Sequence, residues 1–257
     1  MGVAFFIGYK DLTFIKLINW DFENKNEIIS FFLFRLGVYG PLISAFLVTY
    51  CFFKLDGLID LWQRITNWKI NIKWYFYMLF LPIVINSFVV LIGLIIGMPI
   101  SDFFKSEVPL NLILIYLLYQ IVTSGLEEPG WRGFLLEKLQ NKFTAEKASW
   151  ILGLIWAIWH YPYVIYLYGS LEIIIILFSL AGFTMSIIGQ TFIITWFYNS
   201  TKSVLITILF HAWLNTSTTF ILGKITINNP ALGLIPALVT WGIVFVLLKK
   251  YGAEKLS

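Results

Sequence analysis

Long apolar stretches separated by short clusters of charge recur along the whole chain. Residues 31–53, 74–97, 109–126, 147–168, 171–198, 203–222 and 230–248 each approach or exceed the roughly 20 residues that a helix needs to cross a bilayer. The pattern predicts an all-α, polytopic transmembrane helical bundle of about seven spans. The fifth stretch is long enough to tilt or protrude. Residues 1–20 are apolar but interrupted by Lys10, Asp11 and Lys16, and they lack the basic start and clean hydrophobic core of a signal peptide. We therefore expect residues 1–30 to form an interfacial segment and residues 31–257 a single membrane-embedded domain, since no repeat or low-complexity linker divides it.

Composition narrows the class. Hydrophobic residues make up 59% of the 257, charged residues only 12%, and the mean hydropathy is +0.83. A soluble domain of this length cannot cover so much apolar surface with so few charges. The 11 Trp and 13 Tyr suit the membrane–water interface. One cysteine, Cys51, excludes an intramolecular disulfide framework. The net charge of +4 is spread over loops, which argues against a nucleic-acid partner. Of the 18 Lys and Arg, twelve fall on alternate connections, among them Lys54, Arg64, Arg132, Lys138, Lys202 and Lys250. Five lie on the opposite side, and Arg35 lies within the first expected span. Basic residues favour the cytoplasm, so the C-terminus is expected there.

Several polar residues sit where lipid should exclude them. Residues 125–133 read GLEEPGWRG and end an uncharged run on two adjacent carboxylates, Glu127 and Glu128. If the helix simply leaves the membrane here, the pair is a cytoplasmic loop with an exposed ion pair to Arg132, worth little. The two histidines, His160 and His211, both lie in apolar surroundings, where an ionisable group usually marks a functional cavity. His211 and Asn215 are four apart and share a helix face, as Glu128 and Arg132 do if the helix survives Pro129 and Gly130. A positioned Glu is a general base toward water. His and Asn together can stabilise the oxyanion formed when water adds to a peptide carbonyl. The set suits hydrolysis. Asn86, Gln120 and Gln190 read as interhelical hydrogen-bonding residues.

Glu127-Glu128-Pro-Gly-Trp-Arg132 matches the motif EExxxR, and His211-Ala-Trp-Leu-Asn215 matches HxxxN. Between them, Trp156-Ala-Ile-Trp-His160 matches FxxxH with Trp in place of Phe. In these motifs and their order the chain resembles the CPBP family of intramembrane proteases (CAAX protease and bacteriocin-processing enzymes, also called Abi). The resemblance runs from about Leu36 to the C-terminus and implies an intramembrane endopeptidase. It implies Glu127 as the base that activates water, with His160 holding that water. It implies His211 and Asn215 as the oxyanion hole, and Glu128 and Arg132 as support. The choice between the adjacent glutamates stays open at this point, as does zinc. No cofactor is required by the Glu-activated route, whereas Glu127, His160 and His211 also make a three-ligand zinc set with water in the fourth position.

Glu127, His160, His211 and Asn215 are expected to converge on one cavity open to the cytoplasm. The expected partners are the lipid bilayer and a membrane-associated peptide or protein substrate. The Lys/Asn/Ile-rich composition suits the plasma membrane of a low-GC bacterium, where a bacteriocin or signalling precursor fits better than a prenylated CAAX protein. The alternative is a non-catalytic immunity or scaffold protein that binds a bacteriocin-like peptide or a sensor kinase. A transporter ranks behind both, because the polar set gathers toward one half of the membrane.

Overall fold

The computed structural model describes residues 14–168, 172–223, 225 and 230–257, so the first 13 residues of the expected interfacial segment lie outside the described set. The described residues form helices and turns without a strand. Helices α1 (Phe14–Asn19), α2 (Lys25–Val38), α3 (Gly40–Ile65) and α4 (Lys73–Ile95) come first. A composite helix then runs over Leu110–Gln140, beginning with α5 (Ile113–Val122). It is followed by α6 (Ala145–Tyr168), α7 (Ile173–Thr201), α8 (Val204–Leu222) and α9 (Pro230–Tyr251). Among the described residues seven helices are long and apolar enough to cross a membrane. The chain is a multi-pass membrane protein.

Two spans differ from the sequence reading. The first, expected over residues 31–53, begins instead at Gly40 and runs to Ile65, with a break in helical geometry at Lys54 (φ 55, ψ −150). A helix through 31–53 would place Pro41 in its interior, where the ring clashes with the preceding turn and a hydrogen bond is lost. The chain instead closes α2 at Val38 and restarts at Gly40, with Pro41 in the first turn of α3, where its missing N–H leaves no bond unmade. The third span does not end at Leu126 but continues helically to Gln140. Its charged stretch is interior, as described below.

Helix α8 is the central element: 61% of its most apolar window is buried, against 11% for α3. It packs on α4 and on the composite helix, while α6 and α7 pack along each other. The largest core cluster joins Trp156, Phe192, Phe197 and Phe210 with aliphatic residues of α4, α6, α7, α8 and α9. Large apolar side chains such as Phe52, Ile95, Leu114, Phe178 and Phe245 point outward, as they must where lipid is the solvent. At the N-terminus Phe14 meets Tyr116 edge-on at 5.0 Å, and Lys16 pairs with Glu27.

Connections with basic residues share one end of the bundle. Ala145 N–H donates to the Glu254 carbonyl at 2.9 Å, Asn199 Nδ2 to the Lys255 carbonyl at 2.7 Å, and Ser203 Oγ to the Asn67 carbonyl at 2.6 Å. At the other end Phe104 N–H donates to the Ile221 carbonyl at 2.9 Å.

Candidate active site

The stretch GLEEPGWRG is a deliberately irregular helix. Thr123 leaves helical geometry (φ −105, ψ −96), Ser124–Glu127 form a 3-10 turn, Glu128–Gly130 an α turn, and Trp131–Leu136 a π turn. Pro129 falls at the start of the α turn, where it is tolerated. Two glycines let neighbouring backbones approach. A Cβ on Gly125 would lie 3.2 Å from the Ile208 carbonyl oxygen of α8, and one on Gly130 only 2.5 Å from the Pro41 carbonyl oxygen of α3. Residues 127–133 are therefore buried between α3 and α8. The exposed-loop reading is wrong: Glu128 and Arg132 pair at 3.0 Å with neither side chain exposed to solvent.

The two glutamates have different surroundings. Glu128 Oε1 accepts from Arg132 Nη1 at 3.0 Å and from His211 Nδ1 at 2.9 Å. Its Oε2 is fully buried and has no partner among the described residues. Glu127 Oε2 accepts from the indole N–H of Trp131 at 3.2 Å and of Trp156 at 3.0 Å. Its Oε1 has no hydrogen-bond donor among the described residues, yet it is not among the fully buried unpartnered atoms.

Trp156 lies at the centre of the group. The Arg132 guanidinium sits 4.4 Å over its ring, and Arg132 Nη2 also donates to Thr191 Oγ1 at 3.4 Å. The rings of His160 and His211 meet Trp156 edge-on, with centroids at 5.7 and 5.2 Å. His160 Nδ1 lies 2.8 Å from the Trp156 carbonyl oxygen. A carbonyl only accepts, so Nδ1 carries the proton, and Nε2 keeps a lone pair in the neutral ring. Asn215, on the same face of α8 as His211, donates from Nδ2 to Ser124 Oγ at 3.0 Å and to Gln120 Oε1 at 3.3 Å. Ser124 Oγ in turn donates to Gln120 Oε1 at 2.7 Å. Glu127, Glu128, Arg132, His160 and His211 thus come from three elements into one connected group through Trp156, while Asn215, one turn beyond His211, joins a separate cluster with Gln120 and Ser124. His211 lies seven residues inside α8 and Glu128 twelve residues before Gln140. At 1.5 Å per residue the group is held about 10–20 Å within the helical layer.

Comparison with known proteins points the same way as the motifs. A profile of the type II CAAX prenyl endopeptidase Rce1-like family matches residues 109–217, which contain all six side chains. The chain is also 26% identical over 215 residues to the CAAX prenyl protease 2 of Methanococcus maripaludis, covering 73% of this chain and 79% of that protein. Both similarities support the resemblance to the CPBP family of proteases. The chain is an intramembrane endopeptidase.

Within this site the sequence gives no role to four residues. Trp131 and Ser124 had no assigned role, yet each carries a helical-spacing signal: Trp131 follows Glu127 by four, and Ser124 follows Gln120 by four. Trp156 enters the sequence analysis only as the Trp in place of Phe in FxxxH, whereas its N–H reaches a carboxylate on another element. Thr191 carries no sequence signal that would have found it. Gln120, expected to join two helices, does so at Asn215. Among the described residues no group of three His, Cys, Asp or Glu stands together as a metal-binding set.

Proposed function

We propose that the enzyme hydrolyses a peptide bond of a membrane-associated peptide with a water activated by Glu127. One observation carries the choice of base. Glu128 has one oxygen committed to Arg132 and His211 and the other sealed in the interior, whereas Glu127 is anchored through Oε2 and keeps Oε1 without a protein donor. A base needs a lone pair that reaches water.

In this reading the water lies between Glu127 Oε1 and His160 Nε2. Glu127 takes one proton as the water oxygen bonds to the carbonyl carbon, and the carbonyl π pair becomes the oxyanion. His211, paired through Nδ1 with Glu128, donates from Nε2 to that oxygen. Asn215 Nδ2 is the second donor. In the resting arrangement its hydrogens face Gln120 and Ser124. Turning over the carboxamides of Gln120 and Asn215 exchanges donors for acceptors without moving the heavy atoms and frees Nδ2 for the oxyanion. Collapse of the intermediate breaks the C–N bond, and the proton held by Glu127 passes to the leaving amine. Glu128 and Arg132 remain structural throughout. The dry surroundings strengthen each of these contacts.

We further propose a bacterial plasma membrane with the basic end, and so the C-terminus, in the cytoplasm. The name of the Methanococcus protein points to prenylated CAAX substrates for that protein; here a bacteriocin-like or signalling precursor is the proposed class. The test is a terminal-peptide comparison of membranes from cells carrying the wild type or Glu127→Gln at equal protein level. A precursor cleaved only by the wild type is the expected result. Equal cleavage in both cells removes Glu127 from the role of base.

A further inference from the structure

The indole N–H groups of Trp131 and Trp156 meet on one atom, Oε2 of Glu127. Resting on the assignment of Glu127 as the base, we propose that Trp131 and Trp156 are positioning residues, a two-donor clamp that sets the plane of the reactive carboxylate and reserves Oε1 for water.

The two donors arrive from separate elements. Trp131 lies one turn beyond Glu127 on the composite helix, and Trp156 lies on α6. A single donor leaves a carboxylate free to rotate about its Cγ–Cδ bond. Two donors from different directions on the same oxygen fix that rotation, so Oε1 presents its lone pairs along one line. Neither indole is free to swing away. Trp156 is 1% exposed, with the Arg132 guanidinium on its face and both imidazoles at its edges. Trp131 is 7% exposed and meets Trp159 edge-on at 6.1 Å.

The clamp also solves a chemical problem. A dry carboxylate must be satisfied, but a cation bonded directly to it would hold its lone pairs. Here the cation Arg132 is bonded to the neighbouring Glu128, and Glu127 is satisfied by neutral donors instead. Trp156 adds a second link, because its carbonyl oxygen takes the Nδ1 proton of His160. One residue thereby orients both groups proposed to hold the water. A phenylalanine at either position keeps an aromatic ring and loses the donor.

The contact is tested first without turnover. The full chain in nanodiscs is labelled with 15N at the indole nitrogens, and Trp131→Phe and Trp156→Phe assign their two resonances. In Glu127→Ala both should move upfield, by more than any of the other nine of the 11 tryptophans. If neither moves, the clamp does not exist. The second arm replaces Trp156 with 3-benzothienylalanine, which substitutes sulfur for the N–H at nearly the same shape. The probe is an internally quenched peptide ending in a farnesylated cysteine motif. Loss of one hydrogen bond to a charged group predicts a fall in kcat of about 10- to 100-fold with KM unchanged. A merely structural ring would leave kcat intact in the isostere. Intact kcat beside an inactive Glu127→Gln variant overturns the clamp and spares the base. Turnover by Glu127→Gln overturns the base itself. The resonance arm reads the contact whether or not this peptide is cleaved.

Discussion

Two charged networks hang on the same composite helix and are built in opposite ways. The inner one joins Glu128, Arg132 and His211, and both members of its Glu128–Arg132 pair are withdrawn from solvent. The outer one centres on Arg64, which reaches Asp60 at 2.7 Å, Glu137 at 2.9 Å, the Gly133 carbonyl at 2.7 Å and the Tyr198 hydroxyl at 2.8 Å. Asp60 is 65% exposed and Glu137 34%, and the network borders a cavity of about 290 Å³. Where water can enter, a lost partner is replaced by solvent. Where it cannot, a lost partner leaves a bare charge. The inner network is therefore an all-or-none object, while the outer one tolerates erosion.

The sharpest way to break this contrast is Arg132→Met. It strips the buried Glu128 of its cation and should lower stability by about 3–5 kcal/mol, read as the melting temperature of the detergent-solubilised protein. Glu128→Leu added to Arg132→Met should recover much of that loss, because an apolar pair of similar volume needs no compensation. A single Arg132→Met variant that melts like the wild type would show that the inner network is hydrated after all.

Next in size is Asn215→Ala. It adds no charge and leaves the ion pairs intact, so folding should survive. If Asn215 donates to the oxyanion, kcat should fall by about 10²–10³, equivalent to about 2.7–4 kcal/mol, while binding of uncleaved peptide persists. Pull-down of the precursor alongside measurement of its processing separates the two. Full processing at normal protein level would remove Asn215 from the oxyanion hole.

The smallest effect belongs to the outer network. Asp60→Ala removes an exposed partner of Arg64 and should change stability by less than about 1 kcal/mol. A loss as large as that of Arg132→Met would mean that the two networks obey the same rule, and the contrast would fail.

How much of this was legible in the sequence follows from the same distinction. The spans were visible because lipid demands long apolar runs. The two errors came from punctuation: Pro41 marked a restart rather than an interior residue, and the charges of GLEEPGWRG looked like an exit from the membrane. The pairs Glu128–Arg132 and His211–Asn215 were visible because they sit four apart on one helix face. The partners across elements were not. Whether the Trp156 indole points its N–H at Glu127 depends on how α6 is rotated against the composite helix, and periodicity does not carry that angle. Thr191, a small polar residue in an apolar run, looked like any other hydroxyl bonded to its own backbone, which it also is.

The π turn at Trp131–Leu136 makes the chain's length here a constraint separate from its residue identities. A π turn acts as one residue inserted into an α-helix, and each residue turns a helix by about 100°. Deleting a single position between Trp131 and Leu136 would restore a regular helix and every local hydrogen bond. It would also rotate Glu137 about a quarter of the way round the axis, away from Arg64 and Tyr198. Drift by substitution is thus open to this segment, and drift by deletion is closed. An engineered graft of GLEEPGWRG into another helical frame would have to carry the irregular turn with it, or it would deliver its charges to the wrong side.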